Sequence, residues 1–458
     1  MSIRLSRAVV PGIAEAPAPR IVHLGLGAFH RAHQAWYTAR AADAELWSIA
    51  AFTGRSPQAA EELAAQDGLY TLIERTAEDD SAEIMSTIVE AQPGSNVARL
   101  KRLLADPATA VVTITVTETA YRLGGDGAPD ASDPIVADDI AALREGRDPE
   151  TVLGRLVAGL AARRDAGAPG LAVVPCDNIP DNGPFVRAGV LGLAAEADRG
   201  LAAWIDAEVS FVSTSVDRIT PRTTDADRRT AEELTGWADS SPVVTEPFSD
   251  WVLSGGFPAG RPQWETAGAR FVEDIEPYER RKLWLLNGAH SLLAGLGLLR
   301  GHRTVAEAMA DAECRDAVSR FWDEAVRHLP SSLDLDDYRR KLEDRFDNAR
   351  IAHHLAQIAM EGSTKLGVRA APVLRAERAA GRSGAASVLA IAAWIGLQLR
   401  GTRIHDANQG ALDAALGSED PVRSLLSVID ASLADDASIV DEVKAAVTQL
   451  EPAPAASR

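Results

Sequence analysis

Two kinds of hydrophobic pattern divide the chain near residue 277. Before that point, short apolar runs rich in β-branched residues alternate with helix-compatible segments, and the strongest strand signal lies at residues 110–121. After it, longer segments with helical spacing predominate. This order predicts a doubly wound α/β sheet in residues 1–276 and a mainly α-helical domain in residues 277–458.

The first apolar run, Ile21–Leu24, leads into a turn that contains Gly25 and Gly27. A strand, a glycine turn and a helix are the order of a dinucleotide-binding turn, in which the second glycine lets a pyrophosphate approach the helix N-terminus. The N-terminal domain is therefore predicted to be Rossmann-like, with a helix that begins near His33. His30 replaces the usual third glycine, so this signal alone is equally consistent with an ordinary turn. The predicted cofactor contacts here are Gly25, Gly27, Ala28 and Phe29.

The end of the second predicted strand, residues 47–53, bears on which dinucleotide binds. An acidic residue there would hold the ribose hydroxyls of NAD, but no Asp or Glu follows directly. Arg55 follows instead, and it would either meet the 2′-phosphate of NADP or lie over the adenine. NAD is the predicted cofactor, and NADP is the alternative that this position leaves open.

Polar residues follow other apolar runs at the ends of predicted strands. They are Thr117, Glu118, Asn178 and Asp217, the last within a strand predicted at residues 208–219. Because doubly wound sheets bind ligands at the carboxyl ends of their strands, we expect Thr117 and Glu118 to contact the cofactor and Asp217 the substrate. The alternative is that each is an ordinary strand-end hydrogen-bonding residue.

The candidate chemistry of the helical domain is concentrated at the start of an apolar helical run, residues 282–300. On an α-helix that advances about 100° per residue, four polar residues share an arc of roughly 140°. They are Glu279, Lys282, Asn287 and His290. Desolvation among apolar neighbours favours a neutral lysine, so Lys282 is a candidate general base, with Asn287 and His290 as hydrogen-bond donors to a substrate oxygen. The alternative is a solvated pair of Lys282 with Glu279 and a structural His290.

Several segments resemble the polyol-specific long-chain dehydrogenases, the mannitol dehydrogenase family. The similar segments are residues 21–38, 66–71, 176–179, 216–221, 245–251 and 282–291. They are spread over most of the chain. The Lys-x4-Asn-x2-His spacing of Lys282, Asn287 and His290 is highly specific when it is combined with the glycine turn.

The resemblance implies an NAD-dependent oxidoreductase that interconverts a sugar alcohol and its ketose, of the mannitol/fructose type, without a metal. Lys282 would deprotonate a secondary alcohol as hydride leaves for the nicotinamide. Asn287 and Asn178 would stabilise the alkoxide, and His290 would bind a substrate hydroxyl. Glu279 corresponds to the family position that passes protons between the lysine and solvent.

Three positions leave the substrate open. Gln357 stands where mannitol-oxidising members of the family tend to carry Arg and hexuronate-reducing members Gln. Lys365 and Arg369 would bind a substrate carboxylate or phosphate, or else are solvated. The alternatives are therefore a fructuronate reductase (mannonate oxidoreductase) and a mannitol-1-phosphate 5-dehydrogenase.

Two other classes are less consistent with the sequence. Tyr278 and Lys282 have the Tyr-x-x-x-Lys spacing of short-chain dehydrogenases, but those enzymes are about half this length and have a different glycine turn. A non-catalytic nucleotide sensor is the alternative outside the enzymes. It would have little reason to retain Lys282, Asn287, His290 and Asn178 together.

Composition narrows the partners and the compartment. The net charge of −19, from 47 basic and 66 acidic residues, argues against nucleic-acid and anionic-membrane partners. Cys176 and Cys314 are too few for a disulfide framework or a cysteine-rich zinc site, so no metal is predicted. The N-terminus lacks a secretory apolar region, which predicts a cytoplasmic protein. The resemblance implies that its partner is a small polyol or ketose and that the protein is a monomer or small homo-oligomer.

Overall fold

The computed structural model describes residues 3–13, 15–124 and 127–450. The chain divides into two compact units, with the boundary between Ile275 and Glu276. In the described part of the chain, no helix has both the length and the apolar character needed to cross a membrane.

The first unit contains the strands. They are β1 (Ile3–Arg4), β2 (Ile21–Leu24), β3 (Ile49–Phe52), β4 (Tyr70–Arg75), β5 (Asp80–Met85), β6 (Ile88–Gln92), β7 (Val111–Ile114), β8 (Ala172–Pro175), β9 (Ser210–Phe211), β10 (Ser213–Asp217), β11 (Trp237–Ala238), β12 (Val243–Thr245), β13 (Asp250–Ser254) and β14 (Arg270–Phe271). Its α-helices are α1 (Ala28–Ala32), α2 (Gln34–Arg40), α3 (Gln58–Ala64), α4 (Val97–Ala105), α5 (Pro134–Glu145), α6 (Val152–Asp165), α7 (Asn182–Ala197), α8 (Arg199–Glu208) and α9 (Asp225–Thr235). Short 3₁₀ turns lie at Ala44–Leu46, Glu118–Ala120 and Trp264–Ala267.

Six parallel strands form the main sheet, in the order β6-β3-β2-β7-β8-β9. Counted along the chain, this is the order 3-2-1-4-5-6 of a dinucleotide-binding domain. The order reverses between β2 and β7, and such reversal points are where open α/β sheets bind ligands. The predicted Rossmann-like sheet is therefore confirmed.

The central strands are buried on both faces, which explains their continuous apolar runs. In β2, Ile21 packs into one hydrophobic cluster, while Val22 and Leu24 pack into the other. Helices cover both faces, so no position of the strand faces water and no alternation of polar residues is required.

One predicted strand serves two sheets. Residues 208–219 were expected to form a single strand, but the chain changes sheet at Val212. β9 is the edge of the main sheet, whereas β10 pairs antiparallel with β13 in a sheet of order β10-β13-β14. Two further small sheets have the orders β12-β4-β5 and β1-β11.

The second unit is helical, as predicted. Its elements are α10 (Glu276–Arg281), a π-helical segment (Lys282–Gly288), α11 (Ala289–Leu299), α12 (Val305–Ala310), α13 (Ala312–Val326), α14 (Leu335–Phe346), α15 (Leu355–Ala359), α16 (Gly362–Arg369), α17 (Ala371–Ala379), α18 (Ala385–Leu399), α19 (Gln409–Leu416), α20 (Pro421–Ile429), α21 (Ala431–Asp435) and α22 (Ala437–Gln449), with a 3₁₀ turn at Ser331–Leu333. Helices α11 and α18 pack against each other and are largely buried, because both are apolar around most of their circumference. They form the centre of this unit.

Candidate active site

Gly25 lies at the switch point of the sheet, where β2 ends beside β7. Its φ of +105° is unfavourable for other residues. A Cβ atom there would lie 1.9 Å from the carbonyl oxygen of Thr115, so the neighbouring strand end also excludes a side chain. Two independent constraints therefore require glycine at this position.

Gly27 is different, because the protein itself leaves room for a side chain. Among the described residues, the nearest atom to a Cβ at Gly27 would be the Gly25 carbonyl oxygen, 3.6 Å away. Gly27 caps α1, which Ala28 and Phe29 open as half-buried residues. The space above this helix start fits the close approach of a pyrophosphate.

The helix that follows the turn begins earlier than predicted. It starts at Ala28 rather than near His33, and His33 separates α1 from α2 with φ −120° and ψ −86°. His30, in place of the third glycine, is fully buried and stacks on His23 with 3.3 Å between ring centroids. Burial lowers the pKa of His23 to about 3 and that of His30 well below its usual value, so both rings are neutral.

A cleft of about 300 Å³ lies at the end of β3, where a dinucleotide would place its adenosine. Its lining residues are Leu26, Thr53, Gly54, Ser56, Gln58, Ala59 and Glu62. Arg55 is exposed and does not line this cleft. The carboxylate in the cleft is Glu62, which accepts a 2.8 Å hydrogen bond from Gln58 Nε2. Sequence reasoning missed Glu62 because it lies on α3 rather than directly after the strand.

Thr117 and Glu118 lie beyond the end of β7 and are exposed. Thr117 precedes the 3₁₀ turn that Glu118 opens, and its Oγ1 lies 3.2 Å from Thr119 Oγ1. Both are thus at the carboxyl edge of the sheet, on the second of the two strands that flank the switch point.

Asn178 follows β8 and is exposed, while the preceding Asp177 is buried. Asp177 accepts a 2.5 Å hydrogen bond from the Val116 backbone N–H at Oδ1 and a short one from the Tyr121 hydroxyl at Oδ2. Burial outweighs these bonds and raises the pKa of Asp177 to about 7. Asp177 therefore joins the ends of β7 and β8 and holds the backbone from which Asn178 projects, a role that sequence reasoning missed.

Asp217 does not follow a strand of the parallel sheet, so that part of its prediction is wrong. It is the last residue of β10 and lies opposite Asp250 of β13 in the antiparallel pair. β10 is nevertheless fixed to the end of β8. Asn182 Nδ2 donates to the Thr214 carbonyl at 2.8 Å, and Thr214 Oγ1 donates to the Pro175 carbonyl at 2.6 Å.

In the second unit, Glu279, Lys282, Asn287 and His290 lie on one continuous helical segment. The predicted α-helix from residue 282 to 300 is wrong over its first part, because Lys282–Gly288 is π-helical and the α-helix resumes at Ala289. Lys282 and Asn287 are half-buried, and His290 is buried.

The π-helical segment changes which side chains share a face. In an α-helix, side chains five residues apart point about 140° apart. A π-helix has a wider turn, with i→i+5 hydrogen bonds, so two residues five apart are separated by about one turn and point in more similar directions. Lys282 and Asn287 are five apart, so the segment turns them towards a common face. The arc predicted from 100° per residue underestimates this convergence.

Side chains from two other helices contact the π-helical segment. Trp322 of α13 donates from Nε1 to the Leu285 carbonyl at 2.7 Å, and Arg369 of α16 donates from Nη1 to the Asn287 carbonyl at 3.2 Å. At Gly288, a Cβ would lie 2.6 Å from the Phe321 ring, so only glycine allows α13 to approach this closely.

His290 lies among aromatic and basic groups. Its ring centroid is 4.8 Å from that of Phe346 and 4.7 Å from that of His353. Burial chiefly holds the pKa of His290 well below its usual value. The charges that add to this effect belong to His353, Arg345, Arg369 and Lys365. His290 is therefore neutral in surroundings of positive potential.

Of the three proposed substrate contacts in this unit, Gln357 is exposed on α15, while Lys365 and Arg369 are half-buried on α16. Lys365 Nζ donates to the Ile358 carbonyl at 3.0 Å, and burial lowers its pKa. Burial lowers the pKa of Arg369 to about 10. Neither basic residue is simply solvated.

The described residues include one group of potential metal ligands, His302, Asp311 and Cys314, whose ligand atoms lie within 4.8 Å of one another. Arg300 Nε donates at 2.6 Å to the same Asp311 oxygen that His302 Nε2 contacts at 2.9 Å. Burial raises the pKa of the Cys314 thiol to about 11. These contacts describe an ion-paired cluster beside a neutral thiol.

Comparisons with known families match both units. The family model described as the mannitol dehydrogenase Rossmann domain matches residues 19–266. The model described as the mannitol dehydrogenase C-terminal domain matches residues 274–451.

Individual relatives are similar over nearly their full lengths. D-arabinitol 4-dehydrogenase of Ralstonia nicotianae is 39% identical over 414 residues, which cover 87% of this chain and 88% of the relative. D-mannonate oxidoreductase of Escherichia coli strain K12 is 35% identical over 455 residues, with 94% and 93% covered. The solved ternary complex of Pseudomonas fluorescens mannitol 2-dehydrogenase with NAD and D-mannitol has a TM-score of 0.79 and 32% identity, with 98% of this chain and 97% of that chain covered.

Proposed function

The chain belongs to the mannitol dehydrogenase family of oxidoreductases, and on that premise we propose that it interconverts a sugar alcohol and its ketose with NAD, using Lys282 as the general base. One observation carries this proposal. The π-helical segment turns Lys282 and Asn287 towards a common face, and His290 follows Asn287 by three residues on the same continuous helix.

The first unit would hold the dinucleotide along the carboxyl edge of its sheet. Gly25 and Gly27 would face the pyrophosphate, and the cleft at the end of β3 would take the adenosine. Thr117 and Glu118 would lie near the nicotinamide half. When bound, the nicotinamide supplies the hydride acceptor.

NAD is favoured over NADP by a carboxylate. Glu62 lines the adenosine cleft, where its negative charge would repel a 2′-phosphate and its oxygens would accept from ribose hydroxyls. The preference is tested by comparing NADH with NADPH in wild type and in Glu62→Gln, with Glu61→Gln as the matched control on the same helix. Glu62→Gln should reduce the preference for NADH over NADPH, and Glu61→Gln should leave that preference unchanged.

Lys282 would take the proton from a substrate hydroxyl as hydride leaves the carbon that bears this hydroxyl. Lys282 is half-buried, and the buried residues Trp284 and Leu285 follow it on the same segment. Glu279, one turn earlier on the same segment, would return that proton to solvent. A positioned general base contributes about 10²- to 10⁴-fold in rate.

Amide and imidazole groups would stabilise the substrate oxygens. Asn287 and Asn178 would donate to the oxygen on which negative charge develops, and one such donor contributes on the order of 10²- to 10³-fold. His290, neutral because it is buried, would bind a neighbouring hydroxyl through its imidazole. Asp217 would contact the polyol.

A substrate with a carboxylate, as in the mannonate/fructuronate pair, is the second candidate. The observation that favours it is the positive potential around His290, to which Arg345, Arg369 and Lys365 contribute. D-mannonate oxidoreductase of Escherichia coli is a full-length relative. Gln357 would lie near the same end of the substrate.

The test is the oxidation of NADH with fructose, fructuronate and fructose 6-phosphate as alternative acceptors, repeated with NADPH. Turnover of fructose would support the polyol assignment, whereas selective turnover of fructuronate or fructose 6-phosphate would support an anionic substrate. Binding of NADH without turnover of any polyol or ketose in a wider panel would overturn the proposal in favour of a nucleotide sensor.

A further inference from the structure

We infer that Arg369 is a positioning residue, which acts through Asn287 by holding the end of the π-helical segment. This inference rests on the function proposed above, because it concerns the same site. It assigns Arg369 a role in the geometry of the catalytic segment, in place of the direct contact with substrate that its position on the chain suggests.

The contacts at Arg369 point inward. Its Nη1 donates to the Asn287 carbonyl at 3.2 Å and to Ser291 Oγ at 2.9 Å. Its Nε is buried and has no hydrogen-bond partner among the described residues. A guanidinium held in this way connects the last turn of the π-helical segment to the first turn of α11.

The change from π- to α-helical bonding explains why an external donor is useful there. Each change of register disturbs the regular pairing of carbonyl and N–H groups, so carbonyl oxygens near the junction gain from other donors. Arg369 supplies one at Asn287, and Trp322 supplies another at Leu285 at 2.7 Å. The two donors come from α16 and α13, so the π-helical geometry depends on the tertiary structure of this unit.

The consequence for catalysis is geometric. Fixing the Asn287 carbonyl fixes the backbone that carries the Asn287 side chain, and the amide then keeps its orientation relative to Lys282. Preorganised donors lose most of their effect when displaced by about 1 Å. Loss of the Arg369 contact should therefore lower kcat without a comparable change in cofactor binding.

The first experiment uses the full chain and the ketose that the wild type reduces. Arg369→Gln should lower kcat on the order of 10- to 100-fold and leave the Kd of NADH unchanged. Arg369→Lys, which keeps a cationic donor, should recover part of the loss. The matched control is Arg303→Gln, because the Arg303 side chain is 83% exposed and forms a surface ion pair with Glu307.

A double-mutant cycle separates positioning from direct substrate binding. If Arg369 acts through Asn287, then Arg369→Gln in an Asn287→Ala background should lower kcat by less than about 3-fold, because the amide is already absent. If Arg369 binds a substrate carboxylate or phosphate, KM for an anionic ketose should rise in both backgrounds, and the inference is then wrong.

A structural measurement distinguishes failure of this inference from failure of the proposed function. Amide hydrogen exchange at residues 286–291 should accelerate in Arg369→Gln and in Trp322→Phe, which removes the Nε1 donor and shortens the ring, but not in Arg303→Gln. Unchanged exchange and unchanged kcat in Arg369→Gln would refute the positioning role while the wild-type activity stands. Absence of wild-type turnover would count against the proposed function instead.

Discussion

Lys282 and His290 are eight residues apart on one segment, yet their surroundings favour different roles. Lys282 is half-buried, so part of the residue is accessible to water. His290 is buried against Phe346 and His353 and is held neutral. A group that exchanges protons with solvent suits the base, and a neutral ring suits a hydrogen-bonding ligand.

We expect Lys282→Ala to lower kcat by about 10²- to 10⁴-fold near neutral pH, because no other amine on the segment replaces the base. NADH binding should be unchanged, as measured by fluorescence titration. Lys341→Ala is the control, since Lys341 is half exposed on α14 and pairs with Asp337. Turnover of the Lys282 variant at the wild-type rate would remove Lys282 from the role of base.

Asp177 should make stability depend on pH. Its folded-state pKa of about 7 lies above the unfolded value of about 3.9, so the folded state binds the proton more tightly. This stabilisation is complete below the unfolded pKa and is lost as pH rises through 7. Between pH 5 and 8, wild type should lose about 2 to 3 kcal/mol relative to Asp177→Asn.

Denaturant unfolding of both proteins at the two pH values measures this difference. Asp181→Asn is the matched control, because Asp181 is exposed four residues along the chain. A difference between wild type and Asp177→Asn that is the same at both pH values would contradict a perturbed carboxyl at Asp177.

Individual site residues could be proposed from the sequence where they belong to a motif with a fixed spacing. Residues whose role depends on a partner that is distant in the sequence were missed. Lys282, Asn287 and His290 could be chosen from spacing. Glu62 could not, because its place in the cleft depends on how α3 packs beside β3. Asp177 was missed for the same reason, since its partners Val116 and Tyr121 lie about 60 residues away along the chain.

Among the elements, the glycine turn shows how two similar residues meet different demands. Gly25 is required by its positive φ and by the close carbonyl of Thr115. At Gly27, in contrast, the nearest described atom to a Cβ would be 3.6 Å away, so the protein itself would accept a side chain there. We infer that the fold requires the first glycine and that a bound ligand requires the second.

We predict that Gly25→Ala lowers the stability of the first unit, whereas Gly27→Ala leaves the stability unchanged and weakens NADH binding. Gly25→Ala should destabilise the first unit by about 1 to 3 kcal/mol or more, because it strains the backbone and clashes with Thr115. Gly27→Ala should keep the wild-type melting temperature and raise the Kd of NADH. A Gly27 variant with unchanged NADH affinity would place the pyrophosphate elsewhere.

Secondary structure was predictable where hydrophobic pattern alone decides it. The main sheet follows from its apolar runs, whereas the junction at Val212 does not, because both β9 and β10 continue one β-favouring run. The π-helical segment could not be read from periodicity either. Its register depends on donors from Trp322 and Arg369, which lie far along the chain.

For the whole molecule, the division at Ile275 separates the proposed cofactor groups from the proposed base. The first unit has a hydrophobic cluster on each face of its main sheet, so it has a core of its own. The order of strands, 3-2-1-4-5-6, needs no contribution from the helical unit.

We therefore expect a fragment of residues 1–275 to fold and to bind NADH, while it reduces no ketose because Lys282 and Asn287 are absent. Circular dichroism would report folding, and a fluorescence titration would report NADH binding. Absorbance at the NADH band would report turnover, with the full chain as the control for all three measurements. Ketose reduction by the fragment would overturn the assignment of the base to the helical unit. A folded fragment that does not bind NADH would assign part of the cofactor site to that unit.

The contact between Gly288 and Phe321 has a consequence for genetics. A methyl group at 288 would lie 2.6 Å from the Phe321 ring, so Gly288→Ala requires α13 to shift. The resulting loss of packing should lower the free energy of unfolding and the melting temperature. Such an allele should be heat-sensitive. A strain that depends on this oxidoreductase for its carbon source should grow with it at low temperature and fail at a temperature that the parent strain survives.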